Sequence, residues 1–205
     1  MTHRYHALMF SPTVRAAQTA LGSRQMLAEQ DGEGAGETDI HHDKLTASEA
    51  TFIALRDSFY MASVSETGWP YVQHRGGPTG FVKVFDPNTF GFADFAGNRQ
   101  YISLGNLMRN DRVSFFFMDY ANRSRLKVLG HASYVDADNM EVLNQLVVPG
   151  YRARVERGVI IKVAAFEWNC PQHITPRVVD ADATAEIAAL RKRIHELETK
   201  LAEKS

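Results

Sequence analysis

Three clusters in the middle of the chain contain the side chains that proteins use to bind anions. In chain order they are His74, Arg75 and Lys83, then Asn98, Arg99, Gln100 and Ser103, then Arg123, Arg125 and Lys127. A guanidinium stays charged at any working pH and offers two donors in one plane, which suits a phosphate monoester. Gly76 and Gly77 let the backbone approach a ligand with no Cβ in the way. The clusters predict a phosphate pocket, although each taken singly could be a solvated turn.

The overall charge of the chain limits where such a pocket can lie. The 205 residues carry a formal net charge of -1, and 44% of them are hydrophobic. A near-neutral chain lacks the broad basic surface that binds nucleic acid or an anionic membrane, so an anion site must be local. A chain of this length and composition buries one sizeable core. We therefore expect one main domain with appendages, and neither nucleic acid nor a membrane as partner.

Residues 1–45 are predicted to form a helical segment followed by a linker. Ser11 and Pro12 are typical of an N-cap and the first helical position, and alanine-rich helix formers follow them. The stretch DGEGAGETD at 31–39 has too little apolar surface to fold, which predicts a flexible linker. Thr46 and Glu49 have the spacing of a capping box. A second helix is therefore expected to open the main domain at 46–178.

The segment from 59 to 169 has the pattern of a β domain. Short apolar or alternating runs such as GFVKVFD and RVSFFFMDY are separated by turn sequences such as ETGWP, DPNT and YANRS. Six or seven strands at this spacing predict a mainly β fold, a closed or nearly closed antiparallel barrel with flanking helices. Met140, Leu143 and Leu146 have helical spacing, so one helix is expected to interrupt the strands.

The carboxyl-terminal segment, 179–205, carries an apolar heptad seam. Its members are Ile187, Leu190, Ile194, Leu197 and Leu201. Isoleucine at a and leucine at d favour a two-stranded coiled coil, and parallel pairing would set Glu186 against Arg191 and Arg193 against Glu198 of a partner. The sequence therefore favours a coiled coil between subunits. An amphipathic helix lying on its own barrel is the alternative.

The cysteine content and the amino terminus indicate the compartment. Cys170 stands alone, so no internal disulfide framework can form, and the polar opening residues lack the apolar core of a signal peptide. No run of about 18 apolar residues appears. We expect a cytoplasmic protein in which Cys170 is a small packed residue, because neither metal spacing nor a neighbouring base accompanies it.

Histidines near the amino end raise the question of a metal site. His3 and His6 lie in HRYH, and His41, His42 and Asp43 lie in IHHDK. Neither segment has the spacing of a helical two-histidine site, and adjacent residues on a flexible segment rarely converge on one ion. We therefore expect no metal there.

The order of the strands and turns resembles a known family. The stretches GFADFAGNRQYIS and NDRVSFFF, continued by RLKVLGHASYV and ending at AFEWNCPQHITPR, resemble the pyridoxamine 5'-phosphate oxidase-related family of flavin-binding split barrels. The resemblance covers most of 52–177 and rests on an early strand with a basic residue, an aromatic strand, an arginine-containing turn and the strand after it. It implies a homodimer with two FMN molecules in clefts at the interface, each contacted by both subunits.

The resemblance also implies roles for single residues. Arg75 and Arg99 are the candidates for phosphate contact, and Gln100 offers a hydrogen bond where oxidases of the family often have a second basic residue. Lys83 would approach the flavin ring or the substrate. The strand end from Phe92 would pass beside the cofactor, with the polar edge of the isoalloxazine facing the backbone groups of Ala93, Asp94 and Phe95.

The exit of the last strand is implied to reach the flavin of the partner subunit. Trp168 would pack near the ring, while Gln172, His173 and Arg177 would supply polar contacts. An ordinary histidine outside any site is an equal alternative for His173.

At one place the chain differs from the members of this family that oxidise pyridoxamine 5'-phosphate. Before the final strand those enzymes carry an arginine- and serine-containing segment that grips the substrate phosphate, whereas this chain has VVPGYRARVERGV with a different layout. Arg152, Arg154 and Arg157 could grip an anion there or be solvated. The sequence predicts an FMN-dependent oxidoreductase of unknown small-molecule substrate and electron donor. The alternative is a flavin-binding sensor, or a haem- or deazaflavin-binding relative.

Overall fold

The computed structural model describes residues 2–31, 40–177 and 180–202. Its contacts divide the chain into a larger unit, Met1–Met118 with Arg125–Asn169, and a smaller unit, Asp119–Ser124 with Cys170–Ser205. Most of the predicted linker, residues 32–39, lies outside the described part. Asp31, which was predicted to open that linker, is instead the last residue of a helix and is buried.

Nine strands and seven helices are assigned within the described ranges. The strands are β1 (Thr2–His3), β2 (Ile40–His41), β3 (Ser58–Val64), β4 (Pro70–Gly76), β5 (Val82–Asp86), β6 (Thr89–Phe95), β7 (Arg112–Asp119), β8 (Ser124–Val135) and β9 (Val155–Asn169). The helices are α1 (Arg4–Met9), α2 (Pro12–Ala20), α3 (Arg24–Asp31), α4 (Ala47–Ala54), α5 (Ile102–Arg109), α6 (Met140–Leu146) and α7 (Asp180–Ala202).

Seven strands form one antiparallel sheet in the order β4-β3-β7-β8-β9-β6-β5, and helices flank it. This confirms the predicted mainly β fold and the strand number, and the architecture is that of a split barrel. The long strand β9 pairs with both β8 and β6, with a register shift in each pairing. Such bulges bend a strand and increase its twist, which lets one sheet curl around a core.

Phenylalanine side chains fill that core. Phe59, Phe90, Phe92, Phe115 and Phe117 are at most 1% exposed and lie in one cluster. They occupy alternate positions of β3, β6 and β7, so the two-residue period of a strand turns all of them to the same side of the sheet. The rings of Phe59 and Phe92 meet edge to face with centroids 5.0 Å apart, a favourable arrangement for an aromatic pair.

The predicted helix starts are confirmed. The Ser11 hydroxyl accepts a hydrogen bond from the Val14 N–H at 3.3 Å, with Pro12 at the first position of α2. Thr46 and Glu49 form the capping box of α4, in which the Thr46 N–H donates to Glu49 Oε2 at 2.9 Å. Helix α6 also lies where its apolar spacing predicted it. The helices α2 and α3 are separate, because the chain turns at Gly22 with φ of 80°.

The smaller unit contains α7. The five heptad side chains of this helix are each at least half exposed, so the helix presents an apolar stripe. Cys170 is exposed as well. The prediction that it is a small packed residue is therefore wrong, because the chain there has left β9 for an irregular segment. None of the described helices is both long enough and apolar enough to span a membrane.

Candidate functional site

A cavity of about 240 Å³ lies in the larger unit where β6 ends and α5 begins. It collects seven of the predicted cofactor residues, Arg75, Asp94, Phe95, Asn98, Arg99, Gln100 and Ser103. The other lining residues are Tyr71, Gln73, Gly97, Tyr101, Ile102, Leu104, Tyr134 and Glu156. The residues predicted from the arginine-containing turn thus share one cavity with the end of β4.

The turn between β6 and α5 has an unusual backbone. Arg99 and Tyr101 have φ of 57° and 52°, a left-handed conformation that residues with a Cβ seldom adopt. The Asn98 side chain supports the turn by accepting a hydrogen bond from the Gln100 N–H at 3.3 Å. Strained backbone of this kind is common at ligand sites, where the surrounding structure holds it in place.

Helix α5 points its first turn at the cavity. Its N-cap is Tyr101, and within the described chain no side chain caps the first turn there. The first N–H groups of a helix have no partner inside the helix, and the helix dipole adds partial positive charge. Ile102, Ser103 and Leu104, which begin α5, all line the cavity. The arrangement favours an anion at this end of the cavity.

Asp94 holds two arginines at the inner side of the cavity. Its Oδ1 forms an ion pair with Arg75 Nη1, and its Oδ2 lies 3.7 Å from Arg157 Nε. Strands β6 and β9 place Asp94 and Arg157 opposite each other in register. The Arg75 Nε is buried, and no described residue accepts a hydrogen bond from it. The Arg75 Nη1 is therefore paired with Asp94, whereas its Nε has no partner among the described residues.

Arg99 lies at the outer side and is much less constrained. Its side chain is 63% exposed, and its Nε is 3.9 Å from Glu156 Oε1. Glu156 also accepts a hydrogen bond from Arg157 at 3.2 Å. An exposed pair at such a distance contributes little to stability, so the Arg99 guanidinium can turn to another anion at small cost.

Aromatic side chains form another part of the wall. The Arg157 guanidinium lies 5.2 Å from the Tyr101 ring centre and 5.8 Å from that of Tyr134. The Tyr134 hydroxyl is buried and has no hydrogen-bond partner among the residues that the structure describes. Burial, and then the charge of Asp94, raise the pKa of Tyr134 to about 12. The hydroxyl is therefore protonated at neutral pH and can donate to a ligand.

Two side-chain hydrogen bonds fix α5 against the sheet. The Ser103 hydroxyl donates to Gln73 Oε1 at 2.9 Å, and the Asn106 amide donates to Ser63 Oγ at 2.9 Å. Ser103 is 2% exposed. Its side chain is thus engaged in positioning the helix, and its contribution to an anion site comes from the helix start on which it lies.

A family model described as pyridoxamine 5'-phosphate oxidase matches residues 45–169, more than half of the chain. The chain belongs to this family. A search of curated proteins found no match.

The chain is also similar to solved structures, at low sequence identity. An FMN-binding protein from Syntrophomonas wolfei is 12% identical, with a TM-score of 0.46 over 75% of this chain and 97% of that one. The Group A Streptococcus protein HupZ is 16% identical, with a TM-score of 0.47 over 65% and 100%. An F420 reductase is 15% identical, with a TM-score of 0.44 over 60% and 98%.

Some residues that the family resemblance assigned to the cofactor lie elsewhere in the larger unit. Lys83 is on β5 opposite Gly91 and is not among the residues that line the cavity. Ala93 lines a neighbouring cavity of about 150 Å³, to which Arg75 and Phe95 also contribute. Trp168 packs its ring edge to face against Phe52, and its indole N–H is engaged elsewhere.

Trp168 has a structural partner in Glu49. The indole Nε1–H donates to Glu49 Oε1 at 2.6 Å, which joins the end of β9 to α4. Burial acts to raise the pKa of Glu49, but hydrogen bonds from Thr46 and Trp168 outweigh it and lower that pKa. The carboxylate is therefore ionised at neutral pH and anchors both the capping box and the indole.

The remaining assigned residues belong to the smaller unit. Gln172 is exposed, and His173 is exposed with φ of 62°. The Arg177 guanidinium lies 4.5 Å from the ring centre of Tyr120. Their role at a flavin stays a prediction.

Sequence reasoning missed eight residues that line the cavity, among them Tyr71, Gln73, Tyr101 and Tyr134. It also left undecided Arg157, which pairs with Asp94 at the inner side. Tyr101 directly follows the predicted turn, so the turn itself was a signal for it. Tyr134 and Arg157 lie on β8 and β9, and their place depends on strand register, which a single sequence does not show.

The amino-terminal histidines differ from expectation. His3 lies between His6 and His42, with ring centroids 3.7 Å and 4.0 Å away, and His41 meets it edge to face at 5.1 Å. Parallel pairing of β1 with β2 sets His3 opposite His41 and brings the two histidine segments together. Asp43 is not part of the group. The two histidine segments therefore meet in the structure, and the expectation that they bind no metal stays a prediction.

Proposed function

We propose that this protein is a flavoprotein oxidoreductase that binds FMN in the cavity at the start of α5 and acts on a small molecule. The observation that carries the proposal is the exposed Arg99 guanidinium beside the uncapped first turn of a helix, in a chain of the pyridoxamine 5'-phosphate oxidase family. Both features favour a bound anion, and the phosphate of FMN is such an anion.

The donor set fits a phosphate monoester. Arg99 is mobile enough to form a two-pronged contact, and the N–H groups at the start of α5 lie along the same wall. The unpartnered Arg75 Nε adds a third donor nearer the interior. A charge-assisted hydrogen bond in such a site contributes about 1.5–3 kcal/mol.

The opposite wall suits a ring with one polar edge. Phe95 and Tyr71 provide apolar surface, and the end of β6 offers backbone groups at Asp94 and Phe95. The protonated Tyr134 hydroxyl is a further donor. FMN would supply the transfer of a hydride or of single electrons, while these residues bind it, orient it and exclude water.

We place the flavin between two copies of the chain. The cavity of about 240 Å³ is smaller than typical ligand pockets, which begin at about 300 Å³, so a second wall is needed to enclose a cofactor of this size. The start of α5 offers apolar side chains for such a contact, because Tyr101 and Ile102 line the cavity and are 46% and 37% exposed. Exposed apolar patches of this kind mark protein interfaces.

We do not favour pyridoxamine 5'-phosphate as the substrate. Of the three arginines in VVPGYRARVERGV, Arg157 is on β9 opposite Asp94, and its guanidinium is engaged with Asp94 and Glu156. It is therefore not available to grip a substrate phosphate in the way that the true oxidases do. The substrate is a small molecule of a different kind.

Cofactor identity is tested on the purified protein. We expect the near-ultraviolet and blue absorbance bands of an oxidised flavin, or their appearance after FMN is added and excess removed. Chromatography of the released cofactor should then give FMN. Recovery of a deazaflavin or a haem, or a colourless protein that takes up no FMN, would contradict the proposal.

A further inference from the structure

The histidine group at the amino end contains a set of ligand atoms close enough to bind one metal ion. His3 on β1, His6 on α1 and Glu167 on β9 each offer an atom, and these three atoms lie within 4.8 Å of one another. His3 is 9% exposed and His6 is 4% exposed. Side chains from three elements thus converge in the larger unit, and none of the three is among the residues that line the α5 cavity.

His6 has a carboxylate at each ring nitrogen. Its Nδ1 is 2.6 Å from Asp31 Oδ1, and its Nε2 is 2.8 Å from Glu167 Oε1. A neutral imidazole has a single N–H, so it can donate to one of these carboxylates only. When Nδ1–H donates to Asp31, the Nε2 lone pair faces the Glu167 oxygen. Either a second proton or another cation must lie between them.

His3 supplies a nitrogen that needs a partner. Its Nδ1 is buried, and no described residue forms a hydrogen bond with it. A buried polar atom without a partner is costly and indicates an unseen ligand or ion. The His3 Nδ1 is therefore a buried nitrogen that a bound ion could satisfy.

The surroundings match those of a metal-bound histidine. Such a histidine usually donates its other ring N–H to a carboxylate, which fixes the ring and its tautomer. Asp31 does this for His6, and Arg24 pairs with Asp31 in turn. Lys127 pairs with the second oxygen of Glu167 and holds that side chain in place. Arg24 thus orients the carboxylate of Asp31, and Lys127 orients that of Glu167.

We propose that His3, His6 and Glu167 bind one divalent transition-metal ion, with Zn²⁺ the best match to two imidazoles and a carboxylate. Zn²⁺ takes such ligands in a tetrahedral arrangement with an open fourth position. Bonds of about 2.1 Å place tetrahedral ligand atoms about 3.4 Å apart. His6 Nε2 and Glu167 Oε1, which are 2.8 Å apart, must therefore separate slightly, and the more distant atoms of the set must approach. Because a metal lies in the plane of each imidazole, the parallel rings of His3 and His6 tilt apart on binding.

The ion would join the amino-terminal segment to the sheet. Helix α1 lies against β9, and the His42 carbonyl accepts a hydrogen bond from the Phe166 N–H at 2.8 Å in the same region. A metal held by His3, His6 and Glu167 would add a direct connection between β1, α1 and β9. A ligand that binds only the folded state stabilises it, so the metal-loaded protein unfolds at a higher temperature.

The test uses the full chain without a polyhistidine tag, first stripped with a chelator. Calorimetric titration with Zn²⁺ should give one site per chain. Substitution His3→Ala or His6→Ala should abolish that site, and Asp31→Asn should weaken it by about 10–100-fold as expected for an orienting carboxylate. His131→Ala is the matched control, because its ring is exposed and contacts Asp111; it should bind as the wild type does.

Co²⁺ provides a readout that needs no variant. The Co²⁺-loaded wild type should show the strong visible bands of tetrahedral coordination, and added Zn²⁺ should remove them. No Zn²⁺ uptake by the stripped protein, or uptake that the His3 and His6 substitutions leave unchanged, would overturn the proposal. The first result would mean that His6 is an imidazolium bridging Asp31 and Glu167.

Discussion

Arg75 and Asp94 form an ion pair at the inner side of the α5 cavity, in which Nη1 contacts Oδ1. The pair joins β4, an edge strand of the sheet, to β6 near its opposite edge. Arg157 lies opposite Asp94 in the pairing of β9 with β6, and its Nε is 3.7 Å from Oδ2 of the same carboxylate. The cavity therefore has an inner side held by charge pairs and an outer side where Arg99 is free to turn. This division determines what each substitution should do.

Arg99→Ala should weaken FMN binding and leave the fold intact. The loss of a charge-assisted donor worth about 1.5–3 kcal/mol corresponds to a roughly 10- to 150-fold rise in the dissociation constant. The exposed Arg99 contributes little to folding, so the unfolding midpoint should hardly change. Flavin fluorescence during titration measures the affinity.

The control for Arg99 is Arg109→Ala. Arg109 is at the other end of α5 and pairs with Glu66 on the surface at 2.9 Å. This variant should bind FMN as the wild type does. Equal affinity in the Arg99 variant and the control would remove Arg99 from the phosphate site.

Asp94→Asn should destabilise the protein. The substitution keeps the shape but removes the charge that pairs with Arg75 and Arg157, leaving two partly buried guanidiniums without their carboxylate. We expect a loss of about 1–3 kcal/mol in the free energy of unfolding, measured by urea denaturation. Asp111→Asn, which affects an exposed pair with His131, should cost less than about 1 kcal/mol. Equal losses in the two variants would argue against the inner ion pairs.

Trp168→Phe should lower stability in a pH-dependent way. The variant loses the indole N–H that donates to Glu49, a charge-assisted hydrogen bond worth about 1.5–3 kcal/mol. Hydrogen bonds hold the pKa of Glu49 below its ordinary value of 4.5, so their stabilisation is present above that pH and is lost as the pH falls through the lowered pKa. The difference in the free energy of unfolding between the variant and the wild type should therefore become smaller in acid. Denaturation followed by circular dichroism measures it. If this difference stayed constant down to strongly acidic pH, it would contradict the role given to Glu49.

Removal of the chain after residue 179 should leave the flavin-binding dimer intact. The proposed contact lies at the start of α5, which is in the larger unit, and α7 is outside that unit. Light scattering of the truncated protein should give a dimer that retains FMN. A monomer would instead make the heptad stripe of α7 the main contact between subunits.

The parts of the fold that depend on local sequence could be predicted. The capping box of Thr46 and Glu49, the Ser11 N-cap and the strand alternation around Phe115 and Phe117 are set by neighbours in the chain. The turn that carries Arg99 was also predicted, because glycine and asparagine precede the arginine. Three cavity residues on that turn, Asn98, Arg99 and Gln100, were therefore predictable from the sequence.

The parts of the fold that depend on contacts between distant segments could not be predicted from the sequence. The partnership of Asp94 with Arg157 requires the register between β6 and β9, and that register shifts at a bulge beside Asp94. The meeting of His3 with His41 requires two short strands to pair. Cys170 was misjudged for the same reason, since its exposure depends on where β9 ends. Pairing between distant segments is not visible in one sequence.

The most direct test is a crystal structure of the FMN-loaded protein. We predict the phosphate within hydrogen-bond distance of the Arg99 guanidinium and of the N–H groups that begin α5, with a second copy of the chain covering the ring. Flavin bound elsewhere on the chain, or its phosphate held away from both Arg99 and the start of α5, would contradict the account.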